Sequence, residues 1–487
     1  MDSVIAYATD VGARAGHGGR LRRAAALLAS LAVVAAWVAP SASASQTDYQ
    51  RAYSLGLRAY KYGLPLLSTE QTYRTQTSVG RPTHRAYAPV NSFSHARKLA
   101  NPNARTVVAP NHDTLYSIAW LNLKRQPMVI HVPRVRDRYY VVELLDPYTT
   151  NFRNLGTVSR TKPGDYAVVP RGEHVRLPNG VHRVSAPYDR VWVIARALVR
   201  RPKDVPRVAR IEKRFTLTPL ARYGSNWARH YPAHASKGPT HYSVPTGLRF
   251  LDRLGSLLER FPPPARDDPI LAKLATVGIG PGMKPSEDPS LNRDERRGLR
   301  NAVADGPDAV RADIRQYYIE GFAAHNGWLV SRTGRYGTNY RLRASVALIG
   351  LGALVPDESI YPLAQVDHTG QDLTGAKSYV MHFDAGQLPP VRAFWSVSLY
   401  DTDGFFVPNP INRYLINDRT KLHYNPDGSL DIYSQHQDPS SPVERRNWLP
   451  APAGTFRLLM RVYAPKPSAI PGILDGSGWD PPTITPR

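Results

Sequence analysis

Tyr139-Tyr140-Val141-Val142-Glu143-Leu144 is a short run of aromatic and β-branched residues around one carboxylate, which is the composition of a strand. Runs of the same kind lie on either side: Met128-Val129-Ile130-His131-Val132, Tyr166-Ala167-Val168-Val169 and Val191-Trp192-Val193-Ile194-Ala195. Gly, Pro, Asn and Asp separate them at the intervals of an antiparallel sandwich, so residues 106–199 read as a first β region. The texture returns from residue 377, with candidate strands at 378–383, 393–400, 430–435 and 455–463. Asn425-Pro426-Asp427-Gly428 is a strong turn between two of them.

The stretch between the β regions has helical spacing. Phe250, Leu251, Leu254, Leu257, Leu258 and Phe261 make one apolar helix face, stopped by Pro262-Pro263-Pro264. A second helix is expected over residues 307–328, with Pro307 in its first turn. An earlier one, over residues 48–67, buries Tyr53, Leu57, Tyr60 and Leu64. The fold class expected is therefore mainly β with a helical middle segment and two antiparallel sandwiches. The leading helix and amino-terminal sandwich are expected at residues 45–215, the helical connecting region at 216–345 and the carboxy-terminal sandwich at 346–487.

Residues 1–44 have the layout of a secretory signal. Arg14, Arg20, Arg22 and Arg23 lead into an apolar stretch, then into Pro40-Ser41-Ala42-Ser43-Ala44, whose small residues suit cleavage before Ser45. No later stretch is long and apolar enough to span a bilayer, so the mature chain is expected to have no membrane span. The absence of cysteine excludes disulfides, thiolate nucleophiles and cysteine metal sites. The formal net charge is +24, and removing the leader takes away four Arg and two Asp, which leaves a strongly basic protein. Outside the cell that charge favours polyanionic or acidic partners, or it is a compositional preference for Arg. The run over residues 196–214 carries the same two readings, a polyanion patch or a solvated charged face. With no zinc finger, RNP-like strand or Gly-rich phosphate loop, nucleic acid is not expected.

Two sets of longer motifs add a resemblance. Pro110-Asn111-His112-Asp113-Thr114-Leu115-Tyr116-Ser117-x-Ala119-Trp120, Arg138-Tyr139-Tyr140 and Asp146-x-Tyr148-x-x-Asn151 resemble the domain of unknown function catalogued as number 1254. Leu388-Pro389-Pro390-Val391-x-Ala393-Phe394-Trp395-Ser396, Asn409-Pro410-x-x-Arg413-Tyr414, Asp427-Gly428-Ser429-Leu430 and Asn447-Trp448-Leu449-Pro450-Ala451-Pro452 resemble its usual partner, number 1214. The resemblance implies two jelly-roll-like β-sandwich domains and no particular activity. His112 departs from the pattern, which more often has a second Asn there.

Several residues have the chemistry of a site. Asn111, His112, Asp113 and Tyr116 bring an amide, an imidazole, a carboxylate and a phenol together, with Asp113, His112 and Tyr116 as acid–base candidates and Asn111 as a ligand contact. The same Pro-Asn-x-Asp pattern also serves as a turn that satisfies backbone groups. Glu143 and Asp146, with Tyr148 beside them, can act as a carboxylate pair on a glycosidic bond if folding sets their separation, or Glu143 is a salt-bridged strand residue. Among the aromatic residues of the carboxy-terminal half, Phe394 and Tyr400 suit a core, and Trp448 with Arg413 suits a ligand surface. Asp401-Thr402-Asp403-Gly404 begins like a calcium loop but lacks its remaining ligands and reads as a turn. No His-Glu-x-x-His or Gly-x-Ser-x-Gly motif is present, and no metal or cofactor is expected.

Two functions fit. One is an exported hydrolase or lyase acting on a carbohydrate-like or acidic extracellular molecule. The other is a non-catalytic binding or structural protein of the cell envelope.

Overall fold

Strand texture in the first β region becomes two sheets that face each other across one apolar core. In the computed structural model, which describes residues 39–105, 108–232, 238–321 and 323–487, these strands are β1 (Ser94–His95), β2 (Thr114–Asn122), β3 (Met128–Val132), β4 (Tyr140–Leu145), β5 (Asn151–Gly156), β6 (Gly164–Pro170), β7 (Val181–Ala186), β8 (Arg190–Leu198) and β9 (Thr216–Pro219). The expected leader lies outside the described residues through residue 38. One sheet has the order β1-β2-β8-β4-β5 and the other β7-β6-β3-β9. Leu115, Ala119, Val142 and Val193 from the first sheet meet Met128, Ile130 and Val168 from the second. Alternation along each strand puts these residues on one side and leaves the opposite side free for other contacts.

The second β region repeats the arrangement with β10 (Ser359–Ile360), β11 (Leu363–Ala364), β12 (Tyr379–Phe383), β13 (Val391–Tyr400), β14 (Leu415–Asn417), β15 (Leu430–Gln435), β16 (Trp448–Pro450), β17 (Arg457–Pro465) and β18 (Ile484–Pro486). The order β10-β17-β13-β14, with β11 also on β17, faces the order β16-β15-β12-β18. Trp395, Val397, Leu458 and Met460 pack against Met381, Leu430, Ile432 and Ile484. Two pairs, β6–β7 and β15–β16, are parallel, so neither sandwich is wholly antiparallel as expected.

Eight helices complete the described chain: α1 (Ala39–Gln76), α2 (Val205–Glu212), α3 (Leu248–Arg260), α4 (Asp268–Ala275), α5 (Arg293–Gly321), α6 (Tyr340–Ile349), α7 (Pro442–Arg446) and α8 (Ile470–Asp475). Together they hold more residues than the strands, which corrects the expectation of a mainly β chain. α3 buries the predicted face, Phe250 through Leu258. α5 differs from the prediction, because it starts well before Pro307 and carries that residue inside it. Its apolar side, Leu299, Ala302, Val303, Gly306, Val310 and Ile314, is buried on both sides of the proline, and that burial outweighs the lost backbone hydrogen bond.

α1 packs with α3 and α5 in one core rather than serving the first sandwich alone. The rings of Tyr60 and Phe250 stack with centroids 4.7 Å apart. The approach of α5 is close because of its glycines: a Cβ on Gly298 would stand 2.6 Å from the carbonyl oxygen of Tyr49. Tyr148 and Leu363 also enter this core, so the helical layer touches both β regions. Among the described residues, no helix is long and apolar enough to cross a membrane.

Candidate functional site

The residues singled out by the sequence are mostly engaged with the protein itself. Asn111 is buried; its side-chain oxygen accepts from the Asp113 amide at 2.6 Å, and its Nδ2 donates to the Tyr463 hydroxyl at 3.1 Å. Asp113 is buried in a bridge between the sandwiches, where Oδ1 accepts from Asn417 at 3.0 Å and from the Arg419 guanidinium. The imidazole of His112 meets the Ala100 carbonyl and packs edge-on against Phe406 and Tyr414.

The proposed carboxylate pair does not form. Glu143 is fully buried and takes hydrogen bonds from Arg196 at 2.5 Å and Asn151 at 2.7 Å. Asp146 instead closes its own turn, accepting from the amides of Tyr148 and Thr150 at 2.9 Å each. Burial raises both carboxyls, Asp146 to about 6. Tyr148 donates its hydroxyl to the Phe261 carbonyl at 2.6 Å, which anchors the turn to the helical layer.

Arg413 and Trp448 are likewise internal. The Arg413 guanidinium donates to the carbonyls of Arg445, Arg446 and Trp448, and the Trp448 indole, 1 % exposed, donates to Gln435. The expected ligand surface is thus a core contact and a loop clamp. Asp401 to Gly404 is a turn, with Asp401 accepting from the Phe405 amide at 2.8 Å.

A further polar group, His95–Ser117–Glu212, resembles a hydrolytic triad in composition but not in order. Ser117 sits between the other two, 2.7 Å from His95 Nδ1 and donating to Glu212. Burial pushes Glu212 well above the usual carboxylate range and His95 down to about 4, so the group is a neutral network in the amino-terminal core.

A cavity of 660 Å³ lies elsewhere, between the two sandwiches. Strand alternation builds its walls. On β2 and β8 the register pairs Tyr116 with Arg196 and Ile118 with Ile194, so these side chains share the face turned away from the sandwich core. Opposite them, β17 presents Arg457, Leu459, Arg461 and Tyr463, while the intervening Leu458, Met460 and Val462 fill the carboxy-terminal core. Val346 and Ile349 of α6, the following loop to Ala353, and residues drawn from 84–86, 94–104 and 108–111 supply further parts of the wall. Of the predicted residues, Asn111 and Tyr116 line the cavity, and Asp113, His112, Glu143, Asp146, Tyr148, Arg413 and Trp448 do not.

The electrostatics of this cavity are lopsided. Arg196, 6 % exposed, is neutralised by Glu143 and also donates to the Gly352 carbonyl at 2.9 Å. Arg461, 2 % exposed, is held by neutral acceptors: Ser398 at 2.8 Å, the Tyr400 hydroxyl at 2.7 Å and the Ala109 carbonyl at 2.9 Å. The guanidinium of Arg457, a residue 8 % exposed, makes no hydrogen bond or ion pair among the described residues. Burial lowers its pKa, opposed by Tyr318 and by Asp401 and Asp403, which act from beyond ion-pair distance. Gly404 leaves it room, since a Cβ there would stand 2.2 Å from the guanidinium. Among the described residues that line the cavity there is no carboxylate.

The sequence does carry a sign of this wall. Arg457-x-Leu459-x-Arg461-x-Tyr463 alternates with Leu458, Met460 and Val462, and two arginines on a strand whose other face is core are costly unless they serve something.

Residues 90–219 match the family described as protein of unknown function (DUF1254), and residues 358–467 match protein of unknown function (DUF1214). The chain carries both, in that order. The DUF1254 segment holds β2 and β8 and the DUF1214 segment holds β17, so the cavity lies at the seam of the two families' segments. The chain is similar in fold to the VPA0106 protein from Vibrio parahaemolyticus, with a TM-score of 0.61, 21% identity, and coverage of 90% of this chain and 100% of that one. An uncharacterized protein from Burkholderia cenocepacia aligns over 92% of this chain and 96% of its own, at 12% identity and a TM-score of 0.40. No curated protein gives a significant match.

Proposed function

We propose that this protein binds a small acidic molecule in the cavity between its sandwiches, and that it works outside the cytoplasm. One observation carries the first part: Arg457 and Arg461 are buried in the cavity wall with no carboxylate at ion-pair distance from either among the described residues. A guanidinium removed from water needs a counter-charge, and an acidic ligand supplies one. His84, Arg85, Arg97 and Lys98 belong to the same lining and draw anions towards it.

Binding is favoured over hydrolysis. Two-carboxylate chemistry needs two carboxyl groups facing a substrate, whereas Glu143 is committed to Arg196 and Asp146 to its own turn. Among the described lining residues His84 is the one imidazole, and no described carboxylate orients it.

The test is calorimetry and thermal melting of the purified chain with a panel of small carboxylates. At least one is expected to bind and to raise the melting temperature with concentration. Arg457→Met is expected to weaken that binding at least about tenfold, the effect of a lost charge-assisted hydrogen bond, with the ligand-free melting temperature not lowered, because the variant removes a buried guanidinium that no protein group hydrogen-bonds. Failure of every carboxylate to bind at millimolar concentration, or a variant that binds like the parent, would overturn the reading.

Work outside the cytoplasm rests on the signal-like layout of residues 1–44. Amino-terminal sequencing of the protein from its native cells is expected to begin near Ser45. A cytoplasmic product beginning at Met1 would defeat it.

A further inference from the structure

The acidic-ligand reading concerns charge alone, and the two walls of the cavity bear on the rest of the molecule. We infer that the ligand is an amphipathic monoacid, a medium-chain aliphatic carboxylate whose acid group meets Arg457 and Arg461 and whose apolar body lies along β2, β8 and the end of α6. This inference rests on the proposed function and deepens it.

Several apolar side chains share the lining. Ile118, Trp192 and Ile194 form one packed cluster with Leu351 against it, and Val346 and Ile349 line the same cavity. The loop is close there, since a Cβ on Gly352 would stand 3.1 Å from Ile194 and 3.2 Å from Trp192. The buried guanidiniums of Arg457 and Arg461 sit on β17 of the other sandwich, where Tyr400 and Leu459 belong to a separate apolar cluster with Ala100 and Ala109. One wall therefore offers unneutralised charge and the other offers hydrocarbon.

The alternatives fit less well. A diacid needs a second unpaired cation set in the apolar wall, but Arg196 is already paired with Glu143 and bonded to Gly352, and Arg85, Arg97 and Lys98 are exposed rather than buried there. A sugar needs hydrogen-bonding groups around its whole ring; Asn111, Tyr116, Thr333 and Tyr361 offer some, but aliphatic Ile118, Ile194, Val346 and Ile349 supply none. One face of Trp192 is also covered by Trp120, stacked at 4.9 Å. The volume, 660 Å³, lies within the range of pockets that enclose small organic ligands, about 300–1,000 Å³, and exceeds what a few-carbon acid fills.

The experiment is titration calorimetry of the full chain with hexanoate, octanoate and decanoate below micellar concentrations, beside citrate and 1-decanol. Affinity is expected to rise about fourfold per added methylene, the effect of burying each CH₂. Decanoate should bind at least about tenfold more tightly than 1-decanol, and Arg457→Met should remove that advantage while leaving 1-decanol unchanged. If citrate or hexanoate binds as well as decanoate, the amphipathic inference falls while the acidic-ligand reading stands. If 1-decanol binds as well as decanoate, or no carboxylate binds, both fall.

Discussion

Arg419→Met is expected to cost the protein about 3–5 kcal/mol of stability, the loss seen when one partner of a buried ion pair is removed and the other stays. Asp113 is fully buried, and among the described residues the Arg419 guanidinium is the one cation paired with it. Without it the carboxylate keeps one amide donor, Asn417, while its second oxygen has no hydrogen-bond partner to begin with. The bridge ties the start of β2 in one sandwich to the chain just after β14 in the other. Asp113→Asn should cost less, because the buried charge leaves with the mutation and Arg419 retains Asp418. Urea denaturation of both variants checks the order. Equal losses, or a loss under about 1 kcal/mol for Arg419→Met, would mean that Asp113 is not held as a charge. Ligand affinity is expected to survive in Asp113→Asn, since Asp113 does not line the cavity.

That role for Asp113 was hidden in the sequence for a definite reason. Side-chain types are visible in a sequence, whereas the partners that satisfy them are not when they lie hundreds of residues away. Asn417 and Arg419 follow Asp113 by 304 and 306 residues, and Tyr463 follows Asn111 by 352. A motif rich in amide, imidazole and carboxylate groups therefore looked like a site, and it is largely a seam between sandwiches.

The strands were legible because their signal is local. Met128–Val132 and Leu430–Gln435 occur as read, since composition and bounding turns suffice to set them. Pro307 misled because a local rule for helix starts met a longer-range burial pattern, carried by Leu299, Ala302 and Val303 before it and Val310 and Ile314 after it. The cavity needed both sandwiches at once. Its cue, two arginines four residues apart on β17, becomes informative only when the other face of that strand is known to be core.

The Arg196–Glu143 pair joins the cavity wall to the interior, and its disruption should show a distinctive dependence on pH. Arg196→Met is expected to cost about 3–5 kcal/mol near neutral pH, because Glu143 is then left buried and charged with only Asn151 to hold it. Burial already raises the Glu143 pKa above 4.5, with Arg196 the main opposing influence, and removing Arg196 must raise it further. A carboxyl whose folded pKa is raised contributes most to stability below its unfolded pKa and loses that contribution as pH rises through the folded value. The gap between variant and parent should therefore be small below about pH 4.5 and widen towards pH 8. Adding Glu143→Gln to the variant removes the titrating group, so the double mutant should regain most of the loss and show no such widening. Chemical denaturation across this range measures the gap directly, and a gap that stays constant with pH would show that Glu143 is not the group left uncompensated. Arg196 also forms part of the ligand's surroundings, so the Glu143→Gln single variant is informative about both roles. It leaves Arg196 in place without its counter-charge, which adds a third unneutralised guanidinium to the cavity wall. Acidic ligands should then bind more tightly to Glu143→Gln than to the parent, although the folded protein without ligand is less stable.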